Sequence, residues 1–411
     1  KQLGVAYVVR GSVYKSGNTV RITVQVSRAA TDVLVWSSAP LDRDLRNGFK
    51  VRDEIAGLIA QALSLKLGVA SPTSTAEVNP QAIELYLQGR QAWNLRNEEG
   101  YARAEQLLNR ALEIDPNFAR AHAALADVWI VRGQDAGTVG AFGQRNSPEQ
   151  ARIDAKVGRA LALDPESAEA RASLGLALRM GWKFGEAERE FRRAIALNPN
   201  YASAHQWLGR LLVREGRMDE ALGELKLAAD IDPLSSRILD NYGSALDRAG
   251  RHSEAIAVLE RALVLQPNSA QALSEKAIAL IGLGRFGEAI ALARQLPAGS
   301  LYTRSDQLRI FGLAGLQAEA EALLSAVDPR SIFPKSNLLL VLGRLEEAIA
   351  ALDASTIGAN YLDDLLFDPV VDPIRGDPRF KQFLATLGVT EAHARAQAWR
   401  SAHPPEKPAK K

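Results

Sequence analysis

Four prolines, Pro165, Pro199, Pro233 and Pro267, stand 34 residues apart, each just past an Ala/Leu-rich stretch of helical character. A second series keeps the same step: Trp182-Lys183-Phe184-Gly185-Glu186-Ala187, Gly216-Arg217-Met218-Asp219-Glu220-Ala221, Gly250-Arg251-His252-Ser253-Glu254-Ala255 and Gly284-Arg285-Phe286-Gly287-Glu288-Ala289. Proline stops a helix because it has no amide hydrogen and its ring crowds the preceding turn. Glycine accepts the left-handed conformation that closes a helix. Two stop signals per period leave room for two short helices. A hairpin that small cannot bury its apolar stripe alone, so successive copies must stack.

The residues within each period show how the stacking works. Leu174, Gly175 and Leu178, then Leu208, Gly209 and Leu212, mark the inner face of each first helix, where glycine lets a neighbour approach. Ala187, Phe191 and Ala194, then Ala221, Leu225 and Ala228, then Ala255, Leu259 and Ala262, mark the second helix. Small Ala sets the interhelix distance and the larger residue between fills the gap. Upstream, Ile83 to Asn117 forms a further unit through Gly89, Ala104, Leu108, Ala111 and Pro116. Pro116 and Pro165 are 49 residues apart, and the excess falls in a Gly-rich insertion at 133–148 that carries Phe142. Downstream, Gly315 to Ala320 and Gly343 to Ala348 read as worn copies of the turn. The array is expected to span 82–353 with about seven to eight hairpins.

The flanks differ in character. Val20, Ile22, Val24 and Val26 alternate with polar residues, as in a half-buried strand. Val5 to Val13 reads as the preceding strand, joined through Lys15-Ser16-Gly17-Asn18, and Val33 to Trp36 as the next. Phe49 to Leu67 has helical spacing through Val51, Ile55, Leu58, Ile59, Ala62 and Leu63. Residues 1–68 are therefore expected to form a small α+β fragment, a three-strand meander plus a helix. A linker at 69–81, a capping segment at 354–400 and a disordered Pro/Lys tail at 401–411 complete the expected organisation.

The repeated positions resemble those of a tetratricopeptide repeat protein. That resemblance implies a mainly α fold, a right-handed α-solenoid of helical hairpins, and a role in protein–protein interaction. Leu3 to Val13, Val20 to Thr23 and the helix entry from Asp42 to Ile55 resemble the second half of a TolB-like amino-terminal domain. Asp372-Pro373-Ile374-Arg375-Gly376-Asp377-Pro378-Arg379-Phe380 resembles the closing segment of chains that carry both. In such bacterial signalling proteins the head is commonly a class III adenylate cyclase, a Ser/Thr kinase or a winged-helix domain. Residue 1 is Lys, and only half of the TolB-like domain is matched. The chain is thus expected to be part of a longer protein.

Catalytic chemistry finds little support. Lys and Arg total 50 against 48 Asp and Glu, giving a net charge of +2, so no global field favours nucleic acid or an anionic membrane. There is no cysteine, which excludes disulfides, thiolate metal sites and a cysteine nucleophile. No apolar run approaches the ~20 residues of a membrane-spanning helix. Gly282-Leu283-Gly284-Arg285-Phe286-Gly287 matches a dinucleotide fingerprint by letter, but it follows no strand and its Gly284 keeps the register of the repeat turns. His122, His205, His252, His393 and His403 show no ligand spacing. Asp363, Asp364, Asp368 and Asp372 fit no calcium loop, and Asp-Pro pairs more often open turns or cap helices. No cofactor, metal or enzymatic activity is expected.

What remains is a groove. Counting around the first helices places Tyr86, Arg90, Trp93, Asn94, Arg120, Asp127, Arg179, Gln206, Arg210, Arg214, Asp240, Ser244 and Arg248 on its concave side. Six of these are Arg, whose planar fork suits carboxylates, so the expected partner is an acidic or carboxyl-terminal peptide or protein. The alternative is a set of solvated arginines paired with nearby Asp and Glu. The Lys/Asn pattern of carboxylate-clamp cochaperones is not reproduced. Three functions stay open: a non-catalytic interaction scaffold, the regulatory portion of a larger bacterial signalling protein, and homo-oligomeric assembly. A cytoplasmic location is expected, or a periplasmic one behind an upstream membrane anchor.

Overall fold

The computed structural model describes residues 7–16, 19–28, 33–37, 41–44, 78–95, 97–135, 146–296, 303–325, 335–357 and 361–407. They fall into two compact units, 1–128 with 156–170, and 129–155 with 171–411.

The first unit opens with a sheet. Strand β1 (Tyr7–Ser16) pairs antiparallel with β2 (Thr19–Arg28), Tyr7 opposite Arg28 and Ser16 opposite Thr19. The other edge of β2 carries two short strands, β3 (Val33–Ser37) on its second half and β4 (Leu41–Asp44) on its first. The expected three-strand meander thus has a fourth strand. Pro40, which has no N–H to give to a ladder, stands between the two pieces. The Arg21 guanidinium donates to both Asp42 oxygens at 2.7 Å and ties β2 to β4 on the exposed surface. The helix expected at 49–67 lies outside the described residues, as does most of the linker. Helix α1 (Pro80–Trp93) starts within that expected linker: the Asn79 side chain accepts from Gln81 N–H, and Pro80 occupies the first turn, where no amide partner is needed. It pairs with α2 (Glu98–Ile114), capped by Asn97. Ala123, Ala160 and Ala170 form a small-residue core with Leu161 packed against it.

Three helices follow, α3 (Ala119–Asp135), α4 (Pro148–Leu163) and α5 (Ala168–Met180). The insertion expected at 133–148 begins as helix, since α3 runs to Asp135; Phe142 lies outside the described residues.

The second unit continues the pairing: α6 (Phe184–Leu197), α7 (Ala202–Arg214), α8 (Met218–Ile231), α9 (Ser236–Arg248), α10 (His252–Leu265), α11 (Ala270–Gly282), α12 (Phe286–Arg294), α13 (Thr303–Leu313), α14 (Gln317–Leu324), α15 (Lys335–Val341) and α16 (Leu345–Ala350). Among the described residues α1 to α16 make eight hairpins. The turn glycines carry the closure. Gly216, Gly250, Gly284 and Gly343 each have φ 72°, and the next amide returns to the preceding helix, as in Arg217 N–H to Leu212 C=O at 2.9 Å. Trp182 holds the same place with φ 62°, a left-handed conformation that an L side chain rarely takes. A Cβ added at Gly175, Gly209 or Gly243 would lie 2.6 Å from Phe191, Leu225 or Leu259, so each first helix sits directly on the large residue of its partner. Ala187, Ala221, Ala228, Ala255 and Ala262 are fully buried, as the register predicts.

The remaining chain does more than cap the array. A 3-10 turn (Ala354–Thr356), α17 (Leu362–Phe367), a second 3-10 turn (Pro369–Ile374), α18 (Pro378–Leu387) and α19 (Thr390–Ala402) fold back along it. Helix α17 packs against α7, and the second 3-10 turn against α15 and α16. Helix α19 meets the turn of the α7/α8 hairpin, where Arg395 Nε donates to Glu215 C=O at 2.8 Å. The tail, expected to be disordered from residue 401, is helical to Ala402 and then docks: Glu406 N–H donates to Gly250 C=O at 2.9 Å. The Glu406 carboxylate accepts from Ser253 N–H and Oγ–H at 2.9 and 2.6 Å. Those donors sit in the first turn of α10, where uncompensated amides attract an anion.

Candidate partner-binding face

Two stripes of polar residues recur one period apart. Gln206, Arg210 and Arg214 follow one another at four-residue steps on α7, and Asp240, Ser244 and Arg248 do the same on α9. Such spacing places each trio on one side of its helix. Polar residues on an uncovered face would be exposed. Instead Gln206, Arg214, Asp240 and Ser244 are all buried, and the folded-back chain supplies carboxylate partners to the arginines at the ends of the two stripes. Arg214 Nε donates to Asp363 Oδ1 at 3.1 Å, Arg248 Nη2 to Asp364 Oδ1 at 2.9 Å, and Arg309 Nη2 to Asp368 Oδ2 at 2.5 Å. Three arginines from α7, α9 and α13 thus meet three carboxylates on one short segment.

The ladder is knitted to its surroundings. Asp368 Oδ1 also accepts from Val370 N–H at 2.9 Å and caps the second 3-10 turn. Ser244 Oγ–H donates to Glu275 Oε1 at 3.0 Å and its oxygen accepts from Arg248. Burial disfavours the Arg248 and Arg309 charges, but Asp364 beside the first and Asp368 beside the second outweigh it and raise both pKa values. Around Arg179 the balance reverses: burial first, then Arg214 and Arg210, depress its pKa, and Arg210 falls to about 9, still protonated at neutral pH. On the acidic side, burial raises Asp240 and Asp306 to about 7, with Glu275 adding like-charge repulsion at both.

The predicted residues of the first unit make contacts within that unit. Arg90 lies 4.5 Å from the Trp93 ring and pairs with buried Asp127 at 3.3 Å. Arg120 pairs with Glu169 at 3.5 Å, Tyr86 stacks obliquely on Phe118 at 5.2 Å, and Asn94 is the exposed cap of α1. For these the ordinary pairing of Arg with local carboxylates holds. Arg179, Gln206, Arg210, Arg214, Asp240, Ser244 and Arg248 belong to the second unit. Sequence reasoning missed Arg309 and the three aspartates as members of this face. Arg309 stands six residues before Gly315, as Arg210 and Ser244 stand six before Gly216 and Gly250, so counting from the turn glycine finds it. Among the described residues no cluster of three or more His, Asp or Glu has metal-holding geometry, and no helix is long and apolar enough to cross a membrane.

Asp306 makes the face pH-dependent. A carboxyl whose folded pKa lies above its unfolded value binds a proton more tightly when folded, so its contribution weakens stability as pH rises from about 4 to about 7. Asp306→Asn is expected to gain on the wild-type chain across that window and to keep a constant advantage above it. Parallel denaturation curves of the two chains at pH 5 and 7.5 check this; an equal difference at both would contradict it.

The family model for the tetratricopeptide repeat matches residues 183–236 and 243–301. This region is a tetratricopeptide-repeat array. A Rhizobium meliloti protein named as an adenylate cyclase is 37% identical over 129 residues, 31% of this chain. The aligned part is 22% of that protein's length, so the chain spans about a fifth of this relative. Among solved structures, a Pseudomonas aeruginosa PilF protein matches at 21% identity and a TM-score of 0.40, over 56% of this chain and 98% of that one. A thermophilic tetratricopeptide protein of Thermus thermophilus matches at 22% identity and a TM-score of 0.39, over 49% and 99%. Tetratricopeptide proteins are generally scaffolds that bind protein or peptide partners on the surfaces their stacked repeats create.

Proposed function

We propose that this chain is a non-catalytic interaction scaffold whose first helices form a groove for an acidic helical segment of a protein partner. The ladder Arg214–Asp363, Arg248–Asp364 and Arg309–Asp368 carries the reading. It supports recognition of carboxylates clustered on one short segment by arginines carried on separate first helices of the array. The segment around α17 is then an occupant in cis, and a partner competes with it. A labelled peptide with the sequence of residues 359–376 should bind the full chain carrying Asp363→Asn, Asp364→Asn and Asp368→Asn at least tenfold more tightly than the wild type, measured by fluorescence anisotropy. Equal binding to both chains, or none to either, would sink the reading. Adding Arg210→Glu, Arg214→Glu and Arg248→Glu should abolish the gain.

A second reading draws on the Rhizobium relative. In it, this array and the TolB-like stretch before it form the regulatory portion of a larger bacterial signalling protein. A cyclase, kinase or winged-helix segment encoded before Lys1 in the parent reading frame would support it; a frame lacking all three would remove it.

A further inference from the structure

The tail touches the α9/α10 turn at both of its residues. Gly250, at φ 72°, has no side chain, and a Cβ there would lie 2.6 Å from Pro405 Cα. Gly250 C=O accepts the Glu406 N–H, and Ser253 donates its N–H and its hydroxyl to the Glu406 carboxylate. His252, the residue before Ser253, is half-buried. Its Nδ1 donates to Asp247 Oδ1 of α9 at 2.7 Å, and its ring packs against α11, 2.5 Å from where a Cβ on Gly282 would stand. From the tail it meets the charge of Glu406, and on its own helix Arg251 and Glu254 pair with each other at 2.6 Å. Histidine is the side chain whose ordinary pKa puts its charge change near neutral pH. At the same two places the neighbouring turns carry Met218-Asp219 and Phe286-Gly287. Those residues offer neither an imidazole nor a hydroxyl, and Asp219 would repel a carboxylate.

We propose that His252 and the tail form a proton-gated latch: the charged imidazole helps to hold Glu406 on the α9/α10 turn, and loss of its proton loosens residues 404–407. The open amides of the helix start and the Ser253 hydroxyl bind the carboxylate whenever it is ionised, and the imidazolium adds a positive charge at the neighbouring position. Burial disfavours that charge, but the Asp247 hydrogen bond, with the Asp247 and Glu406 charges, outweighs it and raises the His252 pKa above its ordinary value. Glu406 responds in the opposite sense: its hydrogen bonds from Ser253, with the His252 charge added, hold it below the ordinary carboxylate range. A cation whose folded pKa is raised adds stability below its unfolded value, here 6.5, and that stability is lost as pH rises through the folded value. The latch is therefore tight in mildly acidic solution and slack above neutral pH. Opening it releases the strap from the α9/α10 turn and leaves in place its hold on the α7/α8 turn, where Arg395 meets Glu215. The inference does not use the acidic-peptide reading, and either can fail without the other.

The test uses the full chain. Hydrogen-exchange protection of the Glu406 amide, corrected for the intrinsic rate at each pH, should fall roughly threefold in wild type between about pH 5.5 and pH 8. Glu406 stays ionised across that range, so its own titration adds nothing. In His252→Gln, which keeps an N–H donor without the charge, protection should be low at both ends and nearly constant. Linkage supplies a second reading: if the His252 charge steadies Glu406, Glu406 raises the His252 midpoint by the same free energy. Titration of His252 followed by NMR should therefore give a midpoint about 0.5 lower in Glu406→Gln than in wild type, the counterpart of a threefold change in docking. Wild-type protection that is equal at both pH values, or that falls as steeply in His252→Gln, would overturn the latch. So would a His252 midpoint unmoved by Glu406→Gln, a result that stands even if His252→Gln disturbs the turn.

Discussion

Asp368→Ala is expected to destabilise the array by roughly 3–5 kcal/mol, the cost of breaking a buried ion pair while leaving its cation in place. Arg309 and Asp368 are 8% and 6% exposed, so water cannot replace the lost carboxylate. The change also removes the cap on Val370 N–H, worth about 0.5–2 kcal/mol by itself. Asp368→Asn separates the two effects, because an amide oxygen can still cap but brings no charge; it should lose less than the alanine variant. Arg344→Ala is the control. Its pair with Glu347 at 2.6 Å is exposed, and such pairs contribute about 0–1 kcal/mol. The loss should be local, so hydrogen exchange is the sharper readout: amides in 361–374 should lose protection in Asp368→Ala while α7 and α8 keep theirs. A loss below 1 kcal/mol, no larger than the control's, would mean that the aspartate ladder does not hold this segment on the array.

The repeats were readable because each signal was local. Gly216, Gly250 and Gly284 close turns, and Gly209 and Gly243 admit Leu225 and Leu259; each requirement acts within one hairpin. Counting in steps of four from Gln206 and Asp240 reaches Arg214 and Arg248 for the same reason. Their partners were not readable, since Asp363, Asp364 and Asp368 lie 149, 116 and 59 residues from the arginines they meet. Nothing in Asp-x-x-x-x-Asp-Pro distinguishes a capping aspartate from one that also takes an ion pair, and Asp368 does both. Arg309 escaped because the spacing between turn glycines contracts from 34 to 31 residues after Gly284. The tail failed differently: Pro and Lys composition describes a chain with nothing to bury, but one carboxylate, Glu406, found the open end of α10.

Gly216→Ala and Gly343→Ala test whether α19 is held against the repeat turns. Both glycines have φ 72°, so both substitutions carry the left-handed cost of about 1–2 kcal/mol. At Gly343 nothing lies within 4 Å of the new Cβ. At Gly216 the Cβ would come 2.4 Å from Ala392 C=O and 3.0 Å from Ala396 N–H, both backbone atoms of α19 that no rotamer change can move. The helix must shift, which adds roughly 1–3 kcal/mol, so Gly216→Ala should cost about twice as much. Urea denaturation gives the difference, and exchange protection of α19 should fall only in Gly216→Ala. Equal losses would place α19 away from the turn. The comparison matters because Gly216 and Gly250 belong to neighbouring hairpins, and Pro405 and Glu406 reach the second as α19 reaches the first. A simple stack of repeats gains stability only from each neighbour pair. A strap fastened to two successive turns adds a contact across that pair.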